Sequence, residues 1–194
     1  PMPENLAFGA EASASSYYHL QTYEENYEYY PRYAVDHNNG TMWRSGTNQM
    51  PQHLTIDLGS VQNVQRVLTN FEYATYFYQY QIEHSTDSVN WDIYADRPDN
   101  QQWGSPMIDD GDVEARYLRI TVTATEKAGL FAAIWEVKVY DELFDTPEII
   151  PHISENEAAP ESTHRLLVEL DASALDEGVA TDISNTGSLG GSFT

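Results

Sequence analysis

Asp36, Asn38 and Thr41 fall close together in the segment Tyr33-Ala34-Val35-Asp36-His37-Asn38-Asn39-Gly40-Thr41-Met42-Trp43-Arg44-Ser45. At that spacing a compact loop turns a carboxylate, backbone carbonyls and a hydroxyl toward one point, which suits a hard cation needing about six or more oxygens. Calcium fits better than magnesium, whose octahedral demands are stricter. An EF-hand is not implied, because Thr41 stands where that loop requires glycine. The competing reading is a plain turn in which Asp36 and Asn38 satisfy their own backbone and Glu136 faces water. Asn39-Gly40-Thr41 is also formally a glycosylation sequon.

Catalytic patterns are not expected here. His19, His37, His53, His84, His152 and His164 show no HExxH or comparable spacing, and no nucleophile elbow surrounds a serine. Paired carboxylates carry no specificity in a chain with 31 acidic residues, and zero cysteines remove thiol catalysis and zinc-thiolate sites. The chain is therefore read as non-enzymatic.

Aromatic side chains are the other chemical resource. Seven of the 14 tyrosines lie between Tyr17 and Tyr33, interleaved with Glu24, Glu25 and Glu28, and Tyr73, Tyr76, Phe77, Tyr78 and Tyr80 form a second cluster. Rings on loops at one end of a sandwich make a platform for the apolar face of a pyranose, while nearby amides and carboxylates hold its hydroxyls. The candidate contacts are Tyr27, Tyr30, Arg44, Asn48, Tyr73, Tyr76, Tyr78, Trp103 and Phe131. The bland reading gives about half the rings, including Tyr33, Phe71 and Tyr80, to ordinary packing, and places Trp43 and Trp91 in the core.

The elements that must position these residues are short strands. From Asn5 to Tyr140 the pattern predicts strands at Leu6–Ser15, His53–Asp57, Val64–Phe71, Tyr80–Ser85, Trp91–Ala95, Arg116–Val122 and Ala132–Tyr140. Leu118, Ile120 and Val122 alternate with Tyr117, Arg119 and Thr121, as in a strand with one face on a core. Asp57-Leu58-Gly59-Ser60 and Thr86-Asp87-Ser88-Val89-Asn90 read as turns, and Asp109-Asp110-Gly111-Asp112 reads as a solvated acidic turn. Several such strands imply a sandwich or barrel.

With 194 residues, one well-cored domain and an appendage fit. A net charge of −22 repels phosphate polymers and anionic lipid, which argues against nucleic acid and membrane partners and leaves cations and neutral sugars. No basic-then-apolar leader opens the chain, and Pro1-Met2-Pro3 reads as a linker edge. The stretch Asp141 to Thr163 carries seven acidic residues, three prolines and no Lys or Arg, the composition of a linker. The division expected is a module at 1–142, an acidic linker at 143–164, and at 165–194 the truncated start of a following sandwich. Arg165-Leu166-Leu167-Val168-Glu169-Leu170-Asp171 reads there as a fresh strand, in a pattern that resembles a concanavalin-like or laminin-G-like domain. An ordered tail packed on the first domain is the alternative.

Several blocks recur in a set order: Asn5-Leu6-Ala7, the Tyr33–Ser45 segment, Leu54-Thr55-Ile56-Asp57-Leu58-Gly59, Tyr80-Gln81-Ile82-Glu83-His84-Ser85, Arg116-Tyr117-Leu118-Arg119-Ile120, and Ile134-Trp135-Glu136-Val137. This set resembles the coagulation-factor type C (discoidin) domain, whose bacterial members include galactose-type carbohydrate-binding modules. The resemblance covers about residues 5–140 and implies an all-β, jelly-roll-like β-sandwich of about eight strands, galactose-binding-domain-like, with the acidic linker and C-terminal extension following it. It also implies a structural Ca2+ held by the backbone oxygens of Tyr33, Asn38 and Trp135, the carboxylates of Asp36 and Glu136, and Thr41.

Many galactose-binding relatives place a His after the core Trp and an Arg after the strand that follows. Here those positions hold Arg44 and Tyr73, so another neutral sugar or a branched polysaccharide is expected. The function this resemblance implies is a non-catalytic carbohydrate-binding module linked to further modules, an accessory to a secreted, periplasmic or surface-located bacterial glycoside hydrolase. The alternatives are an adhesion or protein- or lipid-binding discoidin domain, and a structural spacer without ligand.

Overall fold

The computed structural model describes residues 3–21 and 26–144, together with the backbone of 183–184 and 192–193. Two compact units divide the chain, Pro1–Asp145 and Thr146–Thr194. In the first unit the strands are β1 (Glu11–Ala14), β2 (His19–Gln21), β3 (Asn26–Glu28), β4 (Trp43–Arg44), β5 (Gln52–Phe71), β6 (Tyr78–Ser85), β7 (Asp92–Arg97), β8 (Met107–Thr125) and β9 (Ala133–Tyr140), with one 3-10 turn at Pro31–Ala34. In the second unit β10 (Ile183–Ser184) pairs antiparallel with β11 (Ser192–Phe193). The expected strand at Arg165–Asp171 lies outside the described residues. No helix among the described residues is long and apolar enough to cross a membrane.

The fold is the all-β sandwich that the alternation implies, in the strand order β4-β9-β5-β8-β6-β7, with β1 on β5 and β2–β3 as a separate hairpin. Its two long strands carry both layers. Along β5 the first half pairs with β1 through Glu11↔Asp57, and the second half pairs with β9 from Arg66↔Tyr140 to Phe71↔Ile134. Both halves pair with β8 on the other side. Asp57-Leu58-Gly59-Ser60, expected to end a strand, is instead a bulge where the β5–β8 register shifts between Asp57 and Gln62. Gly59 sits there at φ +83, a conformation only glycine adopts cheaply, and its N–H donates to Asp57 Oδ1 at 2.8 Å. The strand therefore bends and continues.

Alternation predicts the core well. Leu54 and Ile56 on β5, Leu118, Ile120 and Val122 on β8, Ile82 on β6 and Ile134, Val137 and Val139 on β9 are all fully buried, with Trp43 among them. Phe71 stacks on Tyr78 with ring centroids 4.3 Å apart. Two expectations fail. Trp91 is not core: it is partly exposed, donates from Nε1 to Ser88 O at 3.1 Å, and carries the Arg119 guanidinium 4.1 Å over its ring. Asp109 is not in a solvated turn: it lies inside β8, is 1% exposed, and accepts from Tyr80 Oη at 2.7 Å and Arg97 Nε at 2.9 Å.

Candidate functional site

Two features meet on the side of the sandwich where β4 pairs with β9. The first is the loop after the 3-10 turn. Asn38 N donates to Asp36 Oδ1 at 3.0 Å, and Gly40 N donates to Asn38 Oδ1 at 2.9 Å, so both side chains satisfy local backbone as a plain turn would. Thr41 Oγ1 donates to Asp36 Oδ2 at 2.8 Å and lies 3.0 Å from Asn38 O. The loop is tied to β9 by His37 N donating to Glu136 Oε2 at 3.1 Å, across 99 residues of chain, with His37 at φ +59.

Glu136 departs from the plain-turn reading, which would leave it facing water. It is 1% exposed, and its second oxygen, Oε1, is buried without a hydrogen-bond partner. Burial pushes its carboxyl up to about 7, with the nearby Asp36 carboxylate adding to the rise. The Asp36 carboxylate thus lies within electrostatic range of the buried Glu136 carboxylate, with the Thr41 hydroxyl bridging Asp36 and the Asn38 carbonyl, an arrangement whose excess negative charge a hard cation would neutralise. No group of three or more His, Cys, Asp or Glu side chains able to hold a metal occurs among the described residues, so neutral oxygens would have to complete the set. Tyr33 lies in the 3-10 turn, and Trp135 directly precedes Glu136 on β9 with its Nε1 donating to Glu72 O at 3.1 Å.

The second feature is an open cleft of about 280 Å³ lined by Tyr18, Leu20, Tyr27, Tyr29, Arg44 and Phe131. Its floor follows from the hairpin register. Leu20 pairs with Tyr27, and Tyr29 N donates to Tyr18 O at 3.1 Å, so residues two apart on each arm share one face. Arg44 is fixed between this hairpin and β9: it pairs with Ala133, donates from its N–H to Tyr29 O at 3.4 Å and accepts from Tyr18 N at 2.8 Å. Its guanidinium lies 4.0 Å from the Phe131 ring centroid, 5.6 Å from that of Tyr18 and 5.9 Å from that of Tyr29. A neighbouring cleft of about 270 Å³ runs from Tyr27, Glu28 and Tyr29 to Gly40, Thr41 and Trp135, so the rings adjoin the loop described above.

Of the nine candidate contacts, Tyr27, Arg44 and Phe131 meet in the cleft. Asn48 is not in its lining and donates from Nδ2 to the carbonyl of Gly129 at 3.4 Å. Tyr73 and Tyr76 form a separate pair with ring centroids 5.3 Å apart, and Lys127 stands over Tyr76. This pair is linked to the cleft through Glu72, whose carboxyl is pushed up by burial and held down in part by Arg44 and the Tyr73 hydroxyl. Trp103 is 63% exposed beside Phe77. Tyr30 is taken up in a stack with Tyr17, Tyr33 and the Arg32 guanidinium. Tyr78 is corrected: it is 2% exposed, packs on Phe71 and accepts from Tyr73 N, so it serves the core. Tyr18, Leu20, Tyr29 and Glu72 were not among the candidates, although the period-two spacing of Tyr18 with Leu20 and of Tyr27 with Tyr29 marks a shared strand face.

Comparison with known proteins places this geometry. Residues 11–137 match the F5/8 type C domain family. Lactadherin from Sus scrofa is 29% identical over 102 residues, which cover 50% of this chain and 25% of lactadherin. The chain thus spans about a quarter of the length of the curated relatives it matches. Chitosan-binding module 1, derived from the chitosanase/glucanase of Paenibacillus sp. IK-5, is 29% identical with a TM-score of 0.59 over 71% of this chain and 98% of that module. Chitosan-binding module 2 of the same enzyme, solved in complex with chitotriose, is 30% identical with a TM-score of 0.57 over 70% of this chain and 99% of that module. The family match covers more than half of the sequence and the β-sandwich agrees with it, so the chain belongs to the F5/8 type C, or discoidin, domain family.

Proposed function

We propose that this domain is a non-catalytic carbohydrate-binding module that presents the cleft of Tyr18, Tyr27, Tyr29, Arg44 and Phe131 to a glycan of largely neutral sugars on a calcium-stabilised scaffold. The observation that carries the reading is the convergence of four aromatic rings and one guanidinium in a single open cleft beside the Asp36–Thr41 loop. Ring faces pack on the apolar faces of pyranoses, and the guanidinium supplies hydrogen-bond donors for sugar oxygens. A ring of about 150 Å² half covered, at about 25 cal/mol per Å², contributes about 2 kcal/mol before ordering costs, so two rings reach about the millimolar range. Affinity of that size is useful when the module is linked to others. Two similar modules are derived from a chitosanase/glucanase, which supports an accessory role in a secreted or surface-located bacterial glycoside hydrolase for this one.

Calcium fits the loop because Glu136 Oε1 is buried without a partner beside the Asp36 carboxylate. The side chains of Asp36, Glu136 and Thr41 and the backbone oxygens of Tyr33, Asn38 and Trp135 would hold it. The ion would neutralise the two carboxylates and clamp the loop to β9, which also carries the Ala133 partner of Arg44.

Co-sedimentation with insoluble polysaccharides and affinity electrophoresis in soluble ones, in calcium and in chelator, test the reading. Binding to at least one glycan, weakened at least about tenfold by Phe131→Ala, is expected. Binding to none, or a Phe131→Ala variant that binds as wild type, contradicts it.

A further inference from the structure

Eight of the nine Lys and Arg side chains lie among the described residues. Five of them are in ion pairs: Arg66 with Asp110, Arg97 with Asp109, Arg116 with Asp57, Arg119 with Glu83 and Lys127 with Glu126. Arg32 donates to the Tyr33 hydroxyl and lies over two rings, and Lys138 lies within electrostatic range of Glu136. Arg44 differs. Its side chain makes no hydrogen bond or ion pair among the described residues, and its Nε is buried without a partner. It is surrounded instead by Phe131, Tyr18 and Tyr29 in the wall of the open cleft.

Scarcity of carboxylates does not explain this, since acidic residues outnumber basic ones 31 to 9. Glu72 lies within electrostatic range, yet the two side chains form no ion pair among the described residues. A guanidinium is a planar fork of donors that matches a carboxylate bidentately, and the ring faces hold the fork in place. We propose that Arg44 is a specificity-determining anchor for the carboxylate of a single uronic-acid unit in the bound glycan, with Phe131, Tyr18 and Tyr29 packing on the adjoining sugar faces. The inference rests on the carbohydrate-binding reading of this cleft and narrows its ligand class.

The whole-chain charge limits the ligand to an isolated acidic unit. Fields are screened beyond about 8 Å at physiological ionic strength, so Arg44 governs the first charge that enters the cleft. A polyuronate would run its further charges along a surface belonging to a chain of net charge −22 and be repelled. An acidic substituent on a neutral main chain satisfies both fields.

The test uses the full chain and a panel of xylan, mannan and galactan oligosaccharides, each bearing one glucuronic acid, beside the same compounds with the carboxyl reduced to the primary alcohol. The acidic form of at least one is expected to bind at least tenfold more tightly than its reduced twin. Arg44→Gln is expected to bring the two forms to equal affinity, and Arg44→Lys to restore part of the difference. Equal binding of wild type to acidic and reduced twins overturns the inference and leaves the carbohydrate-binding reading intact. Selective binding of neutral glycans outside the panel does the same. Failure to bind any glycan defeats the carbohydrate-binding reading and the inference with it. The wild-type comparison alone decides the matter if either variant fails to fold.

Discussion

Glu136 links the scaffold to its environment through its proton. Its folded carboxyl titrates at about 7, above the ordinary value of 4.5, because burial and Asp36 both disfavour the anion. In metal-free protein, the native state therefore holds a proton between pH 4.5 and 7 that the unfolded chain has already released. The stability this group contributes is full below that window and lost as pH rises through it, on the order of 3 kcal/mol in all. Thermal melting in chelator from pH 4 to pH 8 is expected to show wild type falling relative to Glu136→Gln, which carries no titrating proton. A constant difference between the two would contradict the burial assigned to Glu136. Calcium at pH 7.5 is expected to raise the melting temperature of wild type and leave that of Glu136→Gln little changed. The joining of Asp36, Asn38 and Thr41 in one tight loop is legible from their spacing. The burial that gives Glu136 its altered proton affinity is not legible, because the loop reaches it across 99 residues through His37.

At the level of elements, β5 and β8 depart most from the sequence reading. Asp57-Leu58-Gly59-Ser60 has the composition of a turn, and only the pairing of its flanks with β8 keeps the strand continuous through the bulge. The same holds for Asp109-Asp110-Gly111-Asp112, whose local chemistry favours a solvated turn. Its partners come from elsewhere in the chain: Tyr80 and Arg97 hold Asp109 buried, and Arg66 pairs with the exposed Asp110. Asp109→Ala leaves the Tyr80 hydroxyl buried and unpaired, with a cost expected at about 3 kcal/mol and read as a lower urea midpoint. A midpoint equal to wild type would mean that the network contributes nothing. Gly111 packs against Tyr94, and an added Cβ would lie 2.6 Å from its ring, so Gly111→Ala is expected to cost about 1–3 kcal/mol in the same measurement. The alternation of Leu118, Ile120 and Val122 was legible because one face of β8 meets one core.

For the molecule as a whole, the charge of −22 sets the background against which every local contact acts. Self-repulsion at that charge destabilises the compact state, and salt screens it. The melting temperature is expected to rise between 20 mM and 500 mM sodium chloride, and a fall would mean that the ion pairs outweigh the repulsion. The fold class was legible from strand periodicity and block order. The cleft was legible only in pieces, since Tyr18, Tyr27 and Tyr29 are distant in sequence from Phe131, and Arg44 meets them through the pairing of β2 with β3 and of β4 with β9. Tyr78 was misplaced for a related reason: its position among loop tyrosines conceals that it faces Phe71 across the core. The most direct measurement is an amide NMR titration of the chain with the tightest-binding glycan from the panel. Shifts concentrated at residues 18–20, 27–29, 44–48 and 129–132 are predicted. Shifts confined to the separate cleft around Phe8 and His37, or none at all, would contradict the account.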